Sequence, residues 1–126
     1  MEILKSIYHL ALRDTGNSCV IVSFFCFHFN FFQTFERIDY IKCDIEGHEW
    51  EVFQQLTNTI NQHRPIIQLE IDPKNEAHLF DFFAQLAYQR YGLNGQICQK
   101  ENEQHFGGDY LFVPQEKEHL VAQWNA

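Results

Sequence analysis

From Ile38 onward the chain alternates between two hydrophobic periods. Ile38, Tyr40, Ile41 and Cys43 form a nearly continuous apolar run, which predicts a strand over Ile38–Asp44 in a sheet covered on both faces. Val52, Phe53, Leu56 and Ile60 then recur at helical spacing, predicting a helix over Glu49–Gln62. Arg64-Pro65 should end it, because the residue before a proline is driven out of the right-handed helical region. Pro65–Ile71 reads as a second strand, and Asp72-Pro73 turns the chain. Asn75 is placed to cap a second helix with Leu79, Phe80, Phe83, Leu86 and Ala87 as its buried stripe. A short strand over Gln89–Leu93 precedes the hairpin-type turn signal Asn94-Gly95, and polar loop residues follow from Lys100 to Gly108. Asp109–Pro114 is the last strand, and Glu116–Trp124 a weak terminal helix.

Before Ile38 the pattern is different. Ile3, Leu4, Ile7, Tyr8, Ala11 and Leu12 fit one face of a short helix over Met1–Leu12, and Asp14-Thr15-Gly16-Asn17 reads as a stop and turn. Cys19–Gln33 is Phe-rich and uncharged, with no clear second face. It fits a buried strand, or marks the first 33 residues as a read-through segment, since its residue types share pyrimidine-rich codons and it ends in Gln like a translated splice acceptor. The expected organisation is an atypical segment at 1–37, an α/β half-domain at 38–114 and a tail at 115–126.

Composition narrows the function classes. At 126 residues the chain has room for one domain, and 45% hydrophobic with 21% charged residues is a globular balance. A formal net charge of -8 leaves no broad basic face for a phosphate backbone, so nucleic acid is not an expected partner. Cys19, Cys26, Cys43 and Cys98 form neither a C-x-x-C pair nor a framework and read as free thiols. The longest apolar stretch, Cys19–Phe32, is short for a membrane span and lacks the plan of a signal peptide. A cytoplasmic protein without a membrane partner is the expectation.

Strand, helix, strand, helix, strand and a final strand after a loop is the second half of a doubly wound α/β domain. In such sheets ligands bind at the carboxyl ends of the strands, where Asp44-Ile45-Glu46-Gly47-His48-Glu49 and Glu70 fall. Ile38–Glu49, with Arg64-Pro65, Leu69-Glu70 and Gly108–Pro114 in that order, resembles the carboxyl-terminal half of the FkbM-type methyltransferases. The resemblance implies a Rossmann-like class I methyltransferase fold, carboxyl-terminal half only. Ile38–Asp44, Pro65–Ile71 and Gln89–Leu93 would be strands four to six, and Asp109–Val113 an antiparallel seventh. It also implies S-adenosylmethionine (SAM) as cofactor and a hydroxyl acceptor on a sugar or small natural product.

Methyl transfer to a hydroxyl needs positioning and a base for the acceptor's proton. The resemblance puts Asp44 where the reaction is held; Glu46 is the base or shapes the acceptor site, and the two form the expected catalytic pair. His48 and Glu70 are the expected substrate-binding residues, each also readable as ordinary turn and strand-end groups. Glu49 reads as a first-turn acid favoured by the helix dipole. No spacing singles out a metal. The fold's other half should open with a glycine-rich turn, yet residues 1–37 contain only Gly16 and no such pattern, so an incomplete, inactive copy is expected. Two other functions fit the same residues: a non-catalytic fragment that associates, as a homo-oligomer or with a partner, through an unpaired fourth-strand edge, and a carboxylate-metal hydrolase.

Overall fold

The computed structural model describes residues 11–15, 18–24, 37–43, 47–94, 97–100 and 108–122, with side chains described at 37–43, 47–93 and 108–122. In chain order the elements are β1 (Ala11–Thr15), β2 (Ser18–Phe24), β3 (Tyr40–Cys43), α1 (Glu49–Phe53), α2 (Thr57–His63) and β4 (Ile66–Glu70), followed by α3 (Glu76–Gln85), β5 (Tyr88–Asn94), β6 (Ile97–Lys100), β7 (Asp109–Pro114) and α4 (Glu118–Ala122). Single 3₁₀ turns at Pro73–Asn75 and Gln115–Lys117 lead into α3 and α4.

The strands make one mixed sheet in the order β1-β2-β3-β4-β7-β5-β6. β2, β3 and β4 run parallel, and β7 lies antiparallel between β4 and β5. Period-two alternation sorts the side chains to two faces. Ile41, Cys43, Ile67, Leu69, Tyr110 and Phe112 pack with Val52, Phe53, Leu56, Ile60, Leu79 and Phe83 from the helical layer on one side. Ile66, Leu111 and Val113 meet Val121 of α4 on the other. An aromatic seam holds the first layer down, with Phe83 stacked on Phe112 at 4.2 Å and Phe80 edge-on to Tyr110.

Several expectations change. The single helix expected over Glu49–Gln62 is two: the chain tightens at Gln54–Leu56 through the i→i−3 bonds Gln55 N–H to Val52 O (3.1 Å) and Leu56 N–H to Phe53 O (2.9 Å). Leu56 and Ile60 still reach the core, each about fully buried, so the break re-aims the second half without losing its apolar residues. Ala87 is not part of the α3 stripe; it lies past the helix end at φ 62° and is exposed. Ile97–Lys100 forms an additional strand, paired antiparallel with β5 from Asn94↔Ile97 onward. At the other end, Ala11 and Leu12 are in strand rather than helix, and the helix expected over Met1–Leu12 otherwise lies outside the described residues. Asp14 and Thr15 also belong to β1, whose chain reverses between the paired Thr15 and Ser18. β2 covers the edge of β3 that was expected to be open.

Candidate functional site

Parallel β3 and β4 end on the same side of the sheet, and antiparallel β7 starts there, so Cys43, Glu70 and Asp109 mark one end of three neighbouring strands. The chain leaves β3 at buried Cys43 and enters α1 at Glu49. Asp44 and Glu46, the expected catalytic pair, lie between them and outside the described residues. His48 occupies the cap position of α1 without a side-chain capping bond. Its ring is 45% exposed, with Nδ1 3.4 Å from Glu51 Oε2. Glu70 is exposed and in register with Asp109. Glu70 thus closes β4 at the strand end where the sequence predicts it, and His48 stands at the start of α1, which follows the adjacent β3.

Glu49 stands in the first turn of α1, as the sequence predicts, but its surroundings were not legible there. It is completely buried, where a first-turn dipole acid would be wet. Its Oε1 accepts the Asp72 N–H at 2.7 Å and its Oε2 accepts Asn75 Nδ2 at 3.3 Å. Asn75 Nδ2 also donates to the Gly47 carbonyl at 3.1 Å. Asn75 therefore holds the cap position of α3 with no side-chain cap bond, its amide being spent on the turn after β3. Asp72 does the local capping instead, accepting from Lys74 N–H at 3.0 Å. Asp72-Pro73 was legible as a turn; its tie to Glu49 was not, because 23 residues separate the two.

Two glycines shape this end. Gly47 takes φ +89°, and a Cβ there would contact Lys74 Nζ at 3.5 Å and Asp72 Oδ2 at 3.8 Å. Gly108 takes φ +98° with Ile71 O only 3.3 Å from where its Cβ would be. The Ile71 N–H in turn donates to Gly108 O at 2.7 Å, closing the junction between β4 and β7. Both glycines are thus filled in by the chain itself.

Arg64, the other piece of the quoted pattern, sits at the opposite end of β4. Its guanidinium makes a two-pronged pair with Glu116 (2.8 and 2.9 Å), donates to Leu86 O and Ala87 O, and stacks 4.8 Å over the Tyr88 ring. That hydrogen-bonded pair holds the Glu116 carboxyl down at about 2. Burial pushes the Tyr88 phenol well up, partly offset by Arg64, and its hydroxyl donates to Pro65 O. Arg64 belongs to the scaffold.

Among the described residues no three His, Cys, Asp or Glu side chains converge as metal ligands would, Asp44 and Glu46 being outside that set. No described helix is long and apolar enough to cross a membrane. The family model for the methyltransferase FkbM domain matches residues 8–92, taking in β1 and β2 and stopping before β7. No curated protein and no solved structure matches the chain.

Proposed function

From the premise that this chain belongs to the FkbM methyltransferase family, we propose that the turn between β3 and α1 is the acceptor corner of an O-methyltransferase site for a hydroxyl on a sugar or small natural product. The observation that carries the reading is that β3 and β4 run parallel and end together, so the acidic stretch that follows Cys43 in the sequence leaves the sheet at the end where Glu70 closes β4. The neighbour order β3-β4-β7-β5, with β7 antiparallel, supports assigning them as the fourth, fifth, seventh and sixth strands of the methyltransferase sheet.

SAM, the cofactor the family suggests, supplies a methyl group made electrophilic by a sulfonium. The described residues do not form its cradle. The space a Cβ would take at Gly47 borders Lys74, and that at Gly108 borders Ile71 O, so neither glycine opens a pocket for a ligand. What this chain's own residues can do is act on the acceptor. A carboxylate at Asp44 or Glu46 would hold and take the hydroxyl proton, while His48 and Glu70 bind the neighbouring hydroxyls.

Calorimetric titration of the whole chain with SAM tests the assignment. With no cradle for the cofactor among the described residues, we expect weak saturable binding, with Kd on the order of 1 mM. No heat at millimolar SAM, with the circular dichroism of a folded chain, would reduce the family relation to ancestry. Asp44→Asn should abolish transfer in an active relative that carries the same turn, and retained turnover there would remove Asp44 from the catalytic pair.

A further inference from the structure

We infer that Glu49 is a positioning residue, whose buried carboxylate brackets the turn after β3 against the loop after β4. A carboxylate with no exposed surface is costly to bury, and among the described residues no basic side chain pairs with it. An apolar residue would serve the core better at this position. What only the carboxylate does is receive two donors from the other loop, the Asp72 N–H and Asn75 Nδ2. Asn75 completes the bracket by donating to Gly47 O, inside the turn itself. Three hydrogen bonds thus tie Gly47 and Glu49, on either side of His48, to the segment that follows Glu70. Because α1 starts at Glu49, the bracket also fixes the direction in which the turn hands over to the helix.

The inference rests on the reading of this turn as the acceptor corner, and its chemistry can be tested separately. In Glu49→Gln one oxygen still accepts the Asp72 N–H, but the new amide NH₂ faces Asn75 Nδ2, donor against donor. Asn75 must turn its amide, and Gly47 O loses its partner. Amide hydrogen exchange and chemical shifts measured by NMR on the whole chain read each bond. In Glu49→Ala the Asp72 amide should exchange roughly tenfold faster while the β4 and β7 amides stay within about threefold of wild type. In Glu49→Gln the Asp72 amide should keep its protection while the Gly47 and His48 resonances move, and Asn75→Ala should move the same two resonances.

Unchanged Asp72 exchange in Glu49→Ala, or an equal acceleration throughout the sheet, would overturn the bracket. Wild-type Gly47 and His48 resonances in both Glu49→Gln and Asn75→Ala would overturn the positioning role. Failure to bind SAM would count against the proposed function and leave the exchange result standing.

Discussion

Gly108 and Gly47 share a positive φ, yet a side chain would meet different surroundings at each. At Gly108 a methyl group would press on the Ile71 carbonyl oxygen, a backbone atom held in place by the return bond from Ile71 N–H. At Gly47 the neighbour is the end of Lys74, which can swing away. Gly108→Ala should therefore cost about 2–3 kcal/mol, the left-handed penalty plus displaced backbone, and Gly47→Ala about 1–2 kcal/mol, the penalty alone. Urea denaturation of the two variants checks the order, and equal costs would mean that Ile71 yields freely. Both glycines were visible in the sequence, but their positive φ and what surrounds them were not. Glu49 shows the converse: its place at the start of a helix was legible, but burial and partners on another loop are facts of packing.

At the scale of elements, the apolar spacing of Val52, Phe53, Leu56 and Ile60 identified the buried residues correctly while missing that α1 and α2 are separate. Spacing reports which face is apolar, and a one-turn tightening at Gln54–Leu56 barely disturbs it. The end of α2 was legible in Arg64-Pro65, but Arg64 leaves the helix by a left-handed residue, φ 50°. Its side chain compensates by tying together the turn after α3 and Glu116. This pair sets a pH dependence. With the folded Glu116 carboxyl at about 2, below its ordinary range, the pair stabilises fully above about pH 4.3 and loses its effect as pH falls toward about 2. Glu116 is 53% exposed, so solvent screening limits the contribution to about 0.5–1 kcal/mol. Glu116→Gln should lower the urea midpoint at neutral pH and converge on wild type toward acid. A gap that widened on acidification would contradict this sign. Since Arg64 lies at the far end of β4 from Glu70, the same variant should leave SAM titration unchanged.

For the whole molecule, the outer strands decide how copies meet. With β2 covering β3, the described sheet ends at β1 and β6. The sequence gives both strands charge, Arg13 and Asp14 in one and Lys100 in the other, and a net charge of -8 sets copies against each other. Light scattering should therefore give the protomer mass at every concentration, and a mass that grows with concentration would point to association through β1 or β6 instead. By itself the sequence determined the alternation of strand and helix after Ile38, the place of Glu70 at a strand end, and the family resemblance. These follow from local periodicity and short motifs, which survive whatever the chain later packs against. Only the tertiary structure decided that β1 and β2 join the same sheet, that Asn75 serves a distant turn rather than its own helix, and that Glu49 is buried. Each depends on partners far away in sequence, and hydrogen bonding between such partners leaves no periodic trace along the chain.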